Sequence, residues 1–410
     1  MMERKAFNPN YTGMLSGIRV VDLSRVVAGN MVTLQLADHG ADVIKVEPLP
    51  QGDPLRAWRD KGHSTYWKVY CRNKRSLGLN FHAAGAVEVI RDLAARADVF
   101  VEGFRPGTLE KMGLAPAQLH AVNPGLIIVR ISGFGQTGPY APRPGFGTLV
   151  EGMSGFASRN GFADREPVLP PLAMADMIAG LYGAFATVSA VRAREHGKAP
   201  GQVIDLSLLE PMISILGPEA AAYAVTGQIK ERVGSGSNTA SPRNVYKSRD
   251  GKWIALSGSV QAMAERVFRL VGRPDMIDDP RYKDNASRVR HRHEIDAIVG
   301  AWVGQQSRDE ALKAFEEAEV TAAPVYDIAD LIQDPHVVER GIFEELPDAD
   351  LGWVSVHTPL PRLSATPGGY TRPAPRIGEH TWEVLREIAY DDAKITALRE
   401  AGIVGAQDAR

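Results

Sequence analysis

Apolar and polar positions along the first third of the chain fall into blocks that predict alternating strands and helices. Ile18 to Leu23 (IRVVDL) and ADVIKVE at 41–47 are short, apolar and β-branched, the pattern of strands covered on both faces. DVFVEGF at 98–104 and LIIVRISGF at 126–134 repeat it. Between them MVTLQLADHG reads as a helix closed by Gly40, and AVEVIRDLAARA as a second helix. A third apolar helix is expected after PLAMAD at 171–176, where Leu181, Phe185 and Val188 recur at helical spacing and Ala179, Gly180, Gly183 and Ala184 permit close packing.

Strands joined by short connections through helices predict a parallel sheet covered on both sides, a Rossmann-like α/β architecture. Gly133-Phe134-Gly135-Gln136-Thr137-Gly138 is a literal G-x-G-x-x-G, but Pro139, Pro142 and Pro144 come directly after it. A dinucleotide fingerprint must open into a helix, which those prolines forbid, so nicotinamide and flavin binding are set aside. Periodicity dissolves at 226–244 (TGQIKERVGSGSNTASPRN), which reads as a linker. A smaller α+β unit is expected next, with a strand at WIALSG, a helix from Gln261 to Val271 and another opened by the capping box Ser307–Glu310. The expected division is a large domain at 1–225, a small domain at 226–330 and a return to the large domain at 331–410.

At 410 residues the chain exceeds one simple core, and a net charge of −2 without a long basic run gives no reason to expect nucleic acid or an anionic membrane. The N-terminus lacks a signal-peptide core, and no apolar run approaches the ~20 residues of a membrane span. The single cysteine, Cys71, excludes an internal disulfide and fits a reducing, cytoplasmic setting; it reads as a packing residue. His291 and His293 read as surface residues, and no metal site is expected. Arg72, Lys74 and Arg75 form a basic cluster that suits a phosphate site or structural ion pairs equally.

Asp176 is the candidate for chemistry. At the mouth of an apolar helix it faces the positive end of the helix dipole and unpaired N–H groups, and is expected to stay ionised, as a carboxylate nucleophile must. The same position suits a plain N-cap, and local sequence does not separate the two.

Wider context does. LSGIRVVDLSRVVAG, LADHGADVIKVEPLPQGD, NKRSLGLNF, ADVFVEGFRPGTLEKMGL, NPGLIIVRISGFGQTGPYAPRPGF, PLAMADMIAGLYGAFA, GRPDMIDDPRYKDNASRVRHRHEID and VTAAPVYDIADLIQDPHV succeed one another in order. Together they resemble the class III coenzyme A transferases, from about Leu15 to about Gly378. The resemblance implies that Asp176 attacks an acyl-CoA thioester and carries first an acyl anhydride and then a CoA thioester, passing CoA to a free carboxylic acid. It implies no tightly bound cofactor, with the CoA thioester as substrate, and a homodimer of interlocked rings. Val27, Ala28, Leu79, Asn80, His82, Gly103, Phe104, Arg105, Lys111, Arg143 and Phe146 are expected on or near the CoA groove, and Ser257-Gly258-Ser259 at the place of a closing loop. The resemblance leaves the acids open, with dicarboxylates such as succinate as candidates. Two alternatives stay open: an acyl-CoA racemase of the same fold, and a catalytically silent CoA-binding protein. Racemase relatives carry G-H-D where this chain has Gly145-Phe146-Gly147, and Phe146 cannot move a proton. Gly147 also stands where many transferases keep an acid, and Asn30 where a Pro is usual.

Overall fold

The computed structural model describes residues 2–406. They form two compact units, one built from the chain up to Ser154, Pro170–Gly217 and the chain from Pro335 on, the other from Gly155–Leu169 and Pro218–Asp334.

The first unit holds a seven-stranded sheet of β1 (Arg19–Asp22), β2 (Asp42–Pro48), β3 (Lys74–Leu79), β4 (Val99–Glu102), β5 (Ile127–Ser132), β6 (Val203–Ser207) and β7 (Val404–Gly405). Its spatial order is β7-β3-β2-β1-β4-β5-β6, all parallel except β7, which runs antiparallel beside β3. Order 3-2-1-4-5-6 is the Rossmann arrangement, and it reverses direction between β1 and β4. The expected strands are present, but β3 and β6 were not anticipated: β3 is buried throughout although it begins Lys74-Arg75, which conceals it from an apolar-run reading.

Alternation along the strands gives the sheet two different faces. Val21, Leu23, Ile44, Val46, Leu77 and Leu79 pack with Val89, Ile90, Leu93, Leu119, Val384 and Leu385 into an apolar core. The opposite face carries Asp22, Lys45 and Lys74, each fully buried. Helix α1 (Ala28–Asp38) starts directly beyond β1. A short helix α2 (Gly147–Met153) and the 22-residue helix α3 (Met174–Glu195) complete the set around the site. The α3 face that packs is the small-residue one: a Cβ on Gly180 would overlap Met31, and one on Gly183 would overlap Val32 and Leu206. Leu181 and Phe185, which recur at helical spacing, lie off that face and are exposed, Phe185 by 74%. By length and apolarity α3 could cross a bilayer, which corrects the expectation that no run is long enough. Its Ala/Gly face is nonetheless buried against protein.

The second unit has an antiparallel sheet ordered Ala322–Pro324, Trp253–Ser257, Arg243–Lys247. Helices Gln261–Leu270, Arg292–Val303 and Arg308–Glu317 bury Val267, Phe268, Ile295, Val299, Val303 and Phe315 on a core with Ile254 and Leu256. The Ser307–Glu310 capping box forms as expected. The stretch at 226–244 is no free linker. Arg159 donates to the carbonyls of Lys230 and Glu231, Arg232 to that of Arg165, and Arg243 to that of Gly236. Ser257-Gly258-Ser259 is likewise tied down: the Gly258 N–H donates to Pro242 O at 2.7 Å, and the two serine hydroxyls lie 2.9 Å apart.

Candidate active site

In doubly wound sheets the strand-order reversal opens a crevice at the carboxyl ends of the strands. Here that place is a cavity of about 890 Å³. Ser24–Gly29 beyond β1, Gly103 and Arg105 beyond β4, and Ile131–Gly133 at the end of β5 line it, with Pro144–Thr148 and Glu151. Pro54, Trp58, Tyr66 and Pro170–Ala173 form further wall, and Asp176 opens into it.

Asp176 is the third residue of α3, inside its first turn, and Ala173 occupies the N-cap without a side-chain bond. The plain-cap reading therefore fails. The carboxylate leans over Gly147, where any Cβ would overlap its Oδ2, so a side chain at that position would displace the carboxylate from this pose. Another acid stands one turn further along α2: Glu151, 2% exposed, accepts the Ala175 N–H at 3.0 Å. Burial, then the Glu151 charge, push the Asp176 carboxyl up to about 6, against the N–H groups of Asp176 itself and of Ala28. Removal from water thus outweighs the helix dipole that favours the ionised form. At pH 7 the carboxylate form still predominates, and its higher basicity makes it the better nucleophile.

The loop that supplies the Ala28 N–H is strained. Val26 has φ 63°, an outlier for a β-branched residue that costs on the order of 1–3 kcal/mol. Its N–H donates to Asp53 Oδ1 at 3.0 Å and its carbonyl accepts from Asn30 Nδ2 at 2.7 Å. Behind them Lys45 Nζ lies 3.1 Å from Asp53 and 3.3 Å from Asp22, and donates to Ser24 O at 2.6 Å. Lys74 donates to Asn30 Oδ1 at 3.0 Å. Burial opposes charge on Asp22 and Asp53, yet the lysine and hydrogen-bond partners hold both below the usual carboxylate range. Burial lowers Lys74.

Of the residues expected at the groove, Val27, Ala28, Gly103, Arg105 and Phe146 line the Asp176 cavity. Six do not. Leu79 is fully buried in the apolar core, Phe104 packs against that core with Arg25 over its ring at 5.2 Å, and Arg143 stacks on Tyr140 at 3.7 Å. Asn80 accepts the His82 N–H on the turn after β3. His82 and Lys111 are exposed beyond the ends of β3 and β4, on the cavity's edge of the sheet. The basic cluster is structural: Arg72 pairs with Asp38 and Arg75 with Asp42, Glu383 and Glu387. Cys71 is buried, its thiol pushed up to about 12 by burial, which suits packing rather than nucleophilic attack. His291 is held by Glu294 and His293 is exposed. Gly133 and Gly145 approach backbone to backbone, so the first glycine of the false fingerprint serves packing, while Gly135 and Gly138 adopt positive φ. Sequence reading missed Glu151, Trp58 and Tyr66; an acid inside the apolar run LVEGM was the only available signal.

This cavity at the switch point of a doubly wound sheet, with a half-buried carboxylate at a helix start, has a family counterpart. Residues 15–381 match CoA-transferase family III, and the chain belongs to that family. It is a CoA-transferase, moving CoA between an acyl-CoA and a carboxylate. It is 35% identical to succinyl-CoA–D-citramalate CoA-transferase of Chloroflexus aurantiacus, covering 91% of this chain and 94% of that one. It is 34% identical to human succinyl-CoA:glutarate CoA-transferase, covering 95% and 90%. The crystal structure of a CAIB/BAIF family protein from Brucella suis is similar with a TM-score of 0.80 at 32% identity, covering 92% of this chain and 100% of that one.

Proposed function

We propose that the protein moves CoA between succinyl-CoA and a second dicarboxylic acid through covalent intermediates on Asp176. The observation that carries this reading is the Asp176 carboxylate itself, partly desolvated, aimed into the cavity and free of any cationic partner among the described residues. Asp176 attacks the thioester carbonyl and expels CoA thiolate, forming an acyl-aspartyl anhydride. The thiolate then attacks the aspartyl carbonyl and releases the donor acid, leaving an aspartyl-CoA thioester. The acceptor carboxylate attacks that thioester, and the freed thiolate takes the new acyl group off the anhydride, regenerating Asp176. No net proton is consumed, so the site needs exclusion of water more than an acid and base.

Strand order supports a direction for the substrate. Arg25 and Arg105, without an ion-pair partner among the described residues, line the cavity from the β1 and β4 ends, and suit CoA phosphates. The segment after β2 supplies Pro54, Trp58 and Tyr66. It is moored at the other side by Asp53 on Val26 and by packing of Leu55 and Trp67 with Val27, Ala173 and Met177. There the Trp58 indole and Tyr66 phenol can donate to the distal carboxylate of a short diacid. The relatives that act with D-citramalate and glutarate support the same class.

Succinyl-CoA incubated with malate, glutarate, citramalate and acetate, with thioesters separated after quenching, should yield new diacid thioesters and little acetyl-CoA. Asp176→Asn should remove turnover while CoA binding and folding persist. Undiminished exchange by that variant would end the reading.

A further inference from the structure

We propose that Glu151 is a positioning residue for Asp176: its carboxylate stands in for the missing N-cap of α3 and fixes the first turn of that helix with the nucleophile facing the cavity. The proposal rests on the reading of Asp176 as nucleophile and adds a residue to it. Helix α3 starts without local support. Residues 170–173, which lead into it, belong to no helix or strand, and Ala173 at the N-cap has no side-chain oxygen to offer the first N–H groups. Glu151 Oε1 accepts one of them from another helix, the Ala175 N–H at 3.0 Å. Ala175 is fully buried and directly precedes Asp176, so this bond ends one residue from the nucleophile. A second contact from α2 falls on the same step. Gly147 and Glu151 stand one turn apart on α2 and share its face. A Cβ on Gly147 would meet both the Asp176 carboxylate and the Ala175 methyl. Helix α2 thus holds the Ala175–Asp176 step at two points, by close approach at Gly147 and by the hydrogen bond to Glu151.

Glu151 sits where an apolar side chain would be less costly. It is 2% exposed within the run LVEGM and pairs with no cation among the described residues. A buried carboxylate is unfavourable unless it is matched. Here the match is a helix-start N–H and the positive end of the α3 dipole, which tie the side chain to the nucleophile's own helix. The same side chain also repels the ionised Asp176, so position and charge must be separated by experiment. The other charged groups around the pair are accounted for. Arg25 and Arg105 line the cavity. On neighbouring elements Asp38 of α1 pairs with Arg72, Arg130 of β5 with Glu102 and Glu110, Asp205 of β6 accepts the Gln136 N–H, and Glu210 is bonded to Ser207.

The test uses the full-length protein in single turnover with succinyl-CoA, quenching at intervals and measuring the adduct on the Asp176 peptide at a pH well above the acidic limb. Glu151→Ala and Glu151→Gln both remove the charge, but only glutamine keeps an oxygen that can accept the Ala175 N–H. Glu151→Ala should slow adduct formation by about tenfold or more, with apparent affinity for succinyl-CoA nearly unchanged, because a misplaced nucleophile costs rate and not binding. Glu151→Gln should recover most of that rate, while both variants move the acidic limb downward alike. A Glu151→Ala protein at the wild-type rate would overturn the proposal. So would a Glu151→Gln protein as slow as Glu151→Ala, since charge and not the hydrogen bond would then matter. Should Glu151→Ala not fold, Glu151→Leu, larger and likewise without an acceptor, takes its place under the same outcomes. If neither folds, Glu151 is a structural residue and the proposal is likewise overturned. An absence of adduct in the wild type would instead strike the nucleophile reading itself.

Discussion

One carboxylate shows how residue identity alone misleads. Asp176 at a helix start predicts a group favoured in its ionised form, yet the fold draws it partly out of water beside Glu151 and lifts it to about 6. Activity should therefore fall along an acidic limb near that value, since the protonated carboxyl is no nucleophile. Glu151→Gln removes a neighbouring negative charge, so the limb should move to lower pH in a kcat profile; an upward move would contradict the assignment of Glu151 as a repelling neighbour. The sign for stability is opposite to that of a salt-bridged acid. A folded value raised from 3.8 to about 6 means stability present below the unfolded value and lost as pH rises through the folded one. Asp176→Asn should thus melt higher at neutral pH, by up to about 3 kcal/mol in unfolding free energy, and a lower melting temperature would speak against the burial account. The identity of the nucleophile was legible through the motifs around it. Its environment was not, because Glu151 reaches it from another helix and Ala28 through a backbone group that sequence does not display.

At the scale of elements, the apolar strands and the first helices were legible because two-sided burial writes β-branched runs and helix ends write glycines. β3 escaped because its buried charges, Lys74 and Arg75, serve ion pairs. On helix α3 the close packing expected of Ala179, Gly180, Gly183 and Ala184 is present, while the large residues that recur beside them, Leu181 and Phe185, point outward. Leu149 and Met153 of α2, and Ile213 on the neighbouring helix Leu209–Ser214, are exposed as well. So much exposed apolar surface is unusual on a monomer, and it supports the homodimer that the family resemblance implies. We expect Phe185→Glu to shift the protein toward monomer in sedimentation velocity at micromolar concentration; a wild type that already sediments as a folded monomer would contradict a dimer.

Across the whole molecule, the doubly wound sheet decides where chemistry can occur, and the connections beyond β1, β2, β4 and β5 decide what it is. Five of the eleven groove residues drawn from resemblance line the Asp176 cavity and six lie outside it. The Asp22–Lys45–Asp53–Asn30–Lys74 network was invisible in sequence, since its members lie far apart along the chain and meet only on one face of the sheet. Passage of CoA through a covalent bond to Asp176 can be checked by mixing the protein with succinyl-CoA, quenching in acid within the first turnover and sequencing the Asp176 peptide by mass spectrometry. A succinyl or CoA adduct is expected on that residue, absent from Asp176→Asn and discharged by an added diacid. Rapid transfer of CoA between acids with the Asp176 peptide unmodified at every time point would refute the covalent route.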